Sequence, residues 1–501
     1  MPRTVTLQPD AAMWLLSRAD HDALFANDPD AVPHPRYRWV SSAQLIYYEP
    51  TSVAQEMRLA AAFEQAQAPS APTVEQARAI YDEIADEIPL FAFERDGDLW
   101  HIRNQSAPSY GDPLVERDWV LVVGREGEAG FERAPLAGAE VARALSWLPL
   151  LDGHHTLDEV AAAVRGSAAA VRVFRCLSRA ELFAVDETAG FDRAALPELL
   201  FVSHSCLFVR GERASVIFDP AILSSTEALA SAGRRPYALI GQADAVFVTH
   251  NHWDHLSCET MLRIPRQTPI YVPRLSEPSL ANPPMRVVLE AFGFTNVREA
   301  APWDEVTVGD IDVLIVPFFG EPFGVGSRFD GFTYHVEVSG HALYGTVDAW
   351  RDEAGDMDPV IEALRQRKRV DTLLFGASNM HHEPLYSAAH LRHYSNELVA
   401  RPDLVRFHPC VDDVARWSRV LEPQRLIPYA EFIFSGARDC DDLRAATLSA
   451  RGNLAAYWQH FAGEDGGVPE YLRAFKGDID RLASEVPAQL VALHPLQGLW
   501  L

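Results

Sequence analysis

The chain has 501 residues, 48 % hydrophobic and 23 % charged, an ordinary globular composition with length for two or three domains. Its formal net charge of −26 argues against a protein that tracks a nucleic-acid backbone or an acidic membrane surface, since both want a basic face. Cys176, Cys206, Cys258, Cys410 and Cys440 are scattered without a C-x-x-C pair, no run reaches the length of a membrane helix, and the pattern suits a reducing cytoplasm.

Near the N-terminus, the apolar run from Ala11 to Leu16 lies between Asp10 and Asp20, too short and too acidic for a signal peptide. Residues 1 to about 60 mix short helical and strand-like pieces, with aromatics at Tyr37, Trp39, Tyr47 and Tyr48. Gln65 to Thr73 is small, polar and twice broken by proline, and reads as a loop or linker. Thr73-x-x-Gln76 is a capping-box pattern that predicts a helix through Ile80, Ile84 and Ile88. Asp96-Gly97 predicts a hairpin turn between Phe91–Phe93 and Leu99–Ile102, and a second hairpin joins Trp119–Val123 to Phe131. A helix is predicted through Val141, Leu145 and Leu148, then a turn at Leu151-Asp152-Gly153, then a helix capped by Thr156-x-x-Glu159. This piece, within residues 135–185, resembles a winged-helix module of peptide-binding chaperones. Asp158 and Glu159 stand where a DNA-reading helix would want positive charge.

From about residue 196 the texture turns to strands: Leu199–Val202, Cys206–Val209 and Ser215–Asp219, with a turn at Gly211-Glu212. Ala245 to Thr249 then runs straight into His250-Asn251-His252-Trp253-Asp254-His255, three histidines and an aspartate within six positions. Alternation puts His250 and His252 on one side, and a following turn brings Asp254 and His255 round. Imidazole nitrogens and carboxylate oxygens are the usual ligands of zinc and iron, and the order fits two metals. Later strands are predicted at Ile270–Val272, Val306–Val308, Ile311–Val316, Phe332–Val338, Ala342–Val347, Thr372–Phe375 and Leu426–Ile427, with Asp348 at the end of one of them. Residues 440–501 read as helical, with Tyr457, Trp458 and Trp500 as packing or homodimer contacts.

The H-x-H-x-D-H order after a strand resembles the signature of the metallo-β-lactamase superfamily, which implies an α/β fold, an αββα sandwich with one or two metals at its edge. The division predicted is an N-terminal α/β domain (1–195), a metal domain (196–440) and a helical extension (441–501). The resemblance implies a further ligand near Pro317-Phe318-Phe319-Gly320-Glu321, where Glu321 stands in place of the usual histidine, and a bridging carboxylate at Asp348. The last histidine of the superfamily has no evident match. Glu431 is the preferred substitute, with Tyr429, His381, His382, His408 and His494 left open. A carboxylate in place of an imidazole makes the site harder and favours iron or manganese over zinc.

Together with "AFGFTNVRE" at 291–299, "PFFGE" and Asp348 resemble the diiron β-hydroxylases of the chloramphenicol-biosynthesis type. That resemblance implies two iron ions, with His250, His252 and Glu321 on one, Asp254, His255 and Glu431 on the other, and Asp348 between them; Asp254, Glu321 and Asp348 are the residues it places at the chemistry. It also implies a small-molecule or carrier-protein-bound aminoacyl substrate. No Gly-rich dinucleotide fingerprint occurs, so an external electron donor is expected. The alternative is a zinc hydrolase of esters, amides, lactones or phosphodiesters. Arg365, Arg367, Lys368 and Arg369 are the densest basic patch for docking an acidic carrier, or else the cationic end of a helix.

Overall fold

Apolar strand-forming runs separated by turns assemble here into two facing seven-stranded sheets. The computed structural model describes residues 3–8, 11–26, 79, 82, 92–96, 99–103, 117–125, 130–186, 196–222, 239–252, 254–276, 284–320, 330–352, 354–376, 409–430, 453–455, 458, 470–494 and 497–501.

The first sheet is ordered Val297–Ala300, Ile270–Pro273, Ala245–Phe247, Ser215–Phe218, Cys206–Arg210, Leu199–Ser203, Gln497–Leu499. Its members from Ser215–Phe218 outward to Val297–Ala300 pair in parallel, and the hairpin on the other side is antiparallel. In the second sheet, Glu305–Val308, Ile311–Pro317, Phe332–Val338 and His341–Gly345 form an antiparallel meander. It continues in parallel through Thr372–Gly376, Arg425–Tyr429 and Gln489–Leu490. Parallel neighbours need crossovers. The helices Met285–Ala291, Met357–Arg367, Val411–Leu421 and Glu470–Glu485 each precede a parallel strand. The result is the αββα sandwich that the sequence predicts. The inner faces meet through aromatic rings: Phe218 of the first sheet stacks on Tyr334 of the second at 3.8 Å and 19°.

Two short pieces depart from the expectation for residues 441–501. Glu470–Glu485 is helical as predicted, but Gln489–Leu490 extends the second sheet and Gln497–Leu499 the first. Strands of two or three residues are too short to show a period, so the segment's role in completing both sheets is not visible in composition. Trp458 packs against Phe475 in the core, whereas Trp500 is exposed beside Arg210.

In the N-terminal part, Ala11–Ser17 is a strand buried along its whole length. Ala11, Met13 and Leu15 join the main core, while Ala12, Trp14 and Leu16 pack with Val120, Val122 and Phe131 in a second cluster. The run is continuously apolar because both faces of the strand are covered. The hairpin Ala92–Asp96 with Leu99–Arg103 forms as predicted. The helix Gly138–Leu145 stops before Leu148, which lies in a 3₁₀ turn containing Pro149; proline has no N–H to continue the α-helical ladder. Leu157–Val164 begins with the predicted capping box: Glu159 N–H donates to Thr156 Oγ1 at 3.3 Å and Thr156 N–H to Glu159 Oε2 at 2.7 Å. The expected turn at Leu151-Asp152-Gly153 instead opens a strand, Asp152–Thr156, which pairs with Thr4–Leu7. Arg266 donates to Leu145 O at 3.1 Å, tying this part to the sandwich, and one hydrophobic cluster runs through both. The predicted linker at 65–73 and most of the helix after Thr73 lie outside the described residues.

Candidate metal centre

The strand Ala245–Phe247 ends just before the histidine cluster. The carbonyl of His252 accepts from the N–H groups of His255 (3.0 Å) and Leu256 (2.7 Å), a helical turn that brings His255 against His250, ring centroids 3.9 Å apart. His252 stands beside His250 at 4.8 Å.

Beneath these rings lies Asp219, fully buried at the end of Ser215–Phe218 with φ 46°. Its carboxylate accepts from Thr249 N–H (2.7 Å), Thr249 Oγ1 (2.8 Å) and His255 Nδ1 (2.8 Å). A carboxylate only accepts, so the Thr249 hydroxyl proton is spent on Asp219. His250 Nδ1, 3.0 Å from Thr249 Oγ1, must then be the donor in that contact. Asp219 thereby fixes the tautomer of both histidines, one directly and one through Thr249. In their neutral forms both Nε2 atoms are left with a lone pair, the arrangement a metal-binding imidazole needs.

Both Nε2 atoms face Asp348. Its Oδ2 lies 2.8 Å from His255 Nε2 and 3.6 Å from His250 Nε2. Asp348 follows Val347, whose φ of 52° is unusual for a β-branched residue. Val347 N–H donates to the buried Tyr429 hydroxyl at 2.9 Å, which Tyr334 also meets at 3.2 Å. Glycines make room for the turn. A Cβ at Gly376 would overlap Val347 O, and one at Gly320 would stand 3.0 Å from Asp348 O. Asp254 completes the cluster, with Oδ1 3.8 Å from His255 Nε2 and Oδ2 3.1 Å from His204 Nε2.

The donor set fits metal ions. The potential ligand atoms form two groups that share His255, one with His250 and Asp348 and one with His204 and Asp254, each within 4.8 Å. An ion roughly 2.0–2.2 Å from each ligand holds ligand atoms about 3–3.5 Å apart. The spacings here bracket that range. His255 Nε2 is buried and finds no hydrogen-bond partner among the described residues, although Asp348 Oδ2 is 2.8 Å away. Three carboxylates, Asp219, Asp254 and Asp348, crowd one buried imidazole, and buried negative charge of this density calls for cations.

The titration behaviour follows the same geometry. Burial disfavours the charged form of His255, but Asp348, Asp219 and Asp254 outweigh it and hold its pKa well above the usual imidazole range. Asp254 is pushed up by burial, yet His255, His204 and His252 bring its pKa below the usual carboxylate value. Burial raises Asp219, and its bonds to His255 and Thr249 offset this only in part.

Of the residues predicted from the sequence, His250, Asp254, His255 and Asp348 converge, and His252 lies beside His250 without joining either ligand group. Glu321 and Glu431 lie outside the described residues, as do His381, His382 and His408. Tyr429 is committed to Val347 N–H, and His494 is buried near the C-terminal strand in neither group. The sequence reading missed His204 and Asp219. Asp219 closes a predicted strand and was read only as its end. His204 occupies a two-residue turn, between paired Ser203 and Cys206, where asparagine or glycine is the usual choice. The basic patch is largely neutralised: Arg365 pairs with Glu422, Lys368 with Glu305 and Glu337, and Arg369 with Asp371, while Arg367 lies over Trp303. Arg365 and Arg367 sit in the last turn of Met357–Arg367, as cations at a helix C-terminus do.

Known proteins match this architecture. Residues 216–428 match the family described as beta-lactamase superfamily domain. A stretch of 125 residues is 33 % identical to the 4-amino-L-phenylalanyl-[CmlP-peptidyl-carrier-protein] 3-hydroxylase of Streptomyces venezuelae, covering 25 % of this chain and 24 % of that relative. The match thus spans about a quarter of the curated relative's length. The crystal structure of CmlA, a diiron beta-hydroxylase from Streptomyces venezuelae, aligns over 99 % of both chains with a TM-score of 0.54 and 17 % identity. A mutant of the CmlA beta-hydroxylase aligns over 98 % of both chains with the same TM-score at 15 % identity. At that identity the two structures establish a shared fold.

Proposed function

We propose that the chain is a metal-dependent hydroxylase that holds two iron ions and oxidises an aminoacyl group tethered to a carrier protein. The observation that carries this reading is the buried convergence of His250, His255 and Asp348, whose ligand atoms lie within 4.8 Å of one another, with Asp254 beside His255. The stretch 33 % identical to a carrier-linked hydroxylase supports hydroxylation of a tethered aminoacyl substrate over hydrolysis. His250, His252 and Glu321 would hold one ion, Asp254, His255 and Glu431 the other, and Asp348 would lie between them. Iron, when bound, would supply redox chemistry with O₂. The electrons would come from an external donor.

The chain's own part is to hold the donors and keep water out. Asp219 sets the tautomers of His250 and His255. Tyr429, Gly320 and Gly376 shape the turn that presents Asp348. Phe318, whose ring centroid is 5.6 Å from that of His250, supplies an apolar wall. On this reading residues 196–440, completed by the C-terminal strands, form the catalytic unit, preceded by an accessory part at 1–195. No helix among the described residues is long and apolar enough to cross a membrane, and the buried free thiols Cys176, Cys206 and Cys410 suit the cytoplasm.

The test is metal content of protein produced with both iron and zinc supplied, followed by reduction and exposure to an aminoacyl carrier protein and air. Iron near two per chain, with O₂ uptake and a carrier-bound product heavier by one oxygen atom, is expected. Zinc at the site, no O₂ uptake and cleavage of a simple ester would replace the reading with a hydrolase.

A further inference from the structure

We propose that His204 is the positioning residue that orients Asp254 at the centre, donating from Nε2 to Asp254 Oδ2 so that Oδ1 is turned toward the ion shared with His255. The assignment rests on the reading that Asp254 and His255 bind metal. His204 is 1 % exposed and reaches Asp254 Oδ2 at 3.1 Å. Two imidazoles near carboxylates can be compared directly. The His204 contact meets the geometry of a hydrogen bond, whereas the shorter approach of His255 Nε2 to Asp348 Oδ2 does not. His204 is aimed at the carboxylate, and His255 is aimed past its neighbour, as a ligand would be.

The backbone supports this assignment. His204 sits at φ 47°, a left-handed conformation uncommon outside glycine, though histidine is among the side chains that take it more often, and such residues cluster at functional sites. The same turn grips Asp254 twice, because Ser205 Oγ donates to Asp254 O at 2.8 Å. From the other sheet, Ala430 N–H donates to His204 O at 3.0 Å, so the end of Arg425–Tyr429 holds the turn in place.

The experiment titrates Co(II) and Fe(II) into His204→Asn and His204→Gln beside the wild type, by chelator competition and by the visible spectrum of the Co(II) protein. Asparagine tolerates the left-handed turn but is too short to reach Asp254. Glutamine carries an amide N–H far enough out to replace Nε2. We expect His204→Asn to bind the ion held by Asp254 about 10–100-fold more weakly, with a shifted Co(II) spectrum and unchanged stoichiometry at saturation, and His204→Gln to recover most of the loss. If His204→Asn does not fold, His204→Gly takes its place, since glycine meets the φ without strain. Wild-type affinity and spectrum in the short variant would overturn the proposal. Loss of one ion even at saturation would overturn it too, because His204 would then be a ligand itself. The wild-type stoichiometry and O₂ uptake, recorded alongside, test the hydroxylase reading separately.

Discussion

The two sheets each send one aspartate to the same imidazole, and they use it differently. From the first sheet, Asp219 reaches His255 Nδ1 at 2.8 Å and spends its remaining capacity on Thr249. From the second sheet, Asp348 comes equally close to His255 Nε2 and also faces His250 Nε2. Both are nearly buried, and both stand at left-handed strand ends, Asp219 itself and Val347 before Asp348. One carboxylate already accepts three hydrogen bonds from its neighbours and shapes the site; the other faces the two Nε2 atoms that a cation would occupy. Position at a strand end therefore does not distinguish a ligand from a support. The atoms already bonded to the carboxylate do.

Removing the facing carboxylate is the largest perturbation. Asp348→Asn should lower metal affinity by more than the roughly 10–100-fold typical of outer partners, and should bring the number of ions bound below that of the wild type. The metal-free variant should unfold no more easily than the wild type, because less negative charge is then buried around His255. Equal metal content in variant and wild type would show that the second sheet supplies no ligand at this point.

Asp219→Ala breaks the supporting side of the comparison and should act on folding as well as on metal. It leaves His255 Nδ1 and Thr249 N–H buried without their acceptor. Losing one member of such a buried pair costs about 3–5 kcal/mol. Denaturant midpoints of the metal-free protein would read this. Metal affinity should fall by about 10–100-fold, since both histidine tautomers become free to change. A variant with normal stability but weak metal binding would make Asp219 a ligand rather than a support.

The contrast also explains what the sequence made legible. His250, His252, Asp254 and His255 lie within one short stretch after an apolar strand, and Asp348 follows another, so pattern alone singled them out as candidates, and His250, Asp254, His255 and Asp348 converge in the fold. Asp219 and His204 are single polar residues, 36 and 50 positions from the partners they meet. Nothing local marks them except a turn that lacks its usual residues. The sandwich was readable for the same reason the ligands were: Leu199–Ser203 and Thr372–Gly376 are continuous apolar runs. Gln489–Leu490 and Gln497–Leu499 were not, because their place is decided by the sheets they join.

Tyr429→Phe sharpens the second-sheet side with a smaller change. It removes the acceptor of Val347 N–H and leaves that buried donor unpaired, at about 1–3 kcal/mol in the metal-free protein. Because the turn before Asp348 loosens, metal affinity should drop while the wild-type stoichiometry is kept. A loss of stability with unchanged affinity would mean that Gly320 and Gly376 suffice to set the turn.

The smallest expected effect lies further along the second sheet, where a buried histidine has, among the described residues, a backbone carbonyl and no carboxylate bonded to its ring. His335 is buried on Phe332–Val338, and its Nε2 donates to Arg369 O at 2.7 Å. Burial is the main influence on it and lowers its pKa below the ordinary 6.5; the Arg369 carbonyl and the charges of Glu337 and Asp371 oppose this without reversing it. His255 shows the opposite outcome at equal or greater burial, because three carboxylates surround it. The sign follows from proton binding. Below pH 6.5 the unfolded chain protonates at this histidine before the folded protein does, so its contribution to stability is full above 6.5 and is lost as pH falls from there through the folded pKa. His335→Gln keeps a donor for Arg369 O and cannot titrate. In metal-free protein, stability measured against pH should therefore fall less steeply below 6.5 in His335→Gln than in the wild type, by at most about 1.4 kcal/mol per pH unit, the value for one proton. Parallel curves would place the imidazolium of His335 on the same footing folded and unfolded, and would remove the distinction between a desolvated histidine and one held by acids.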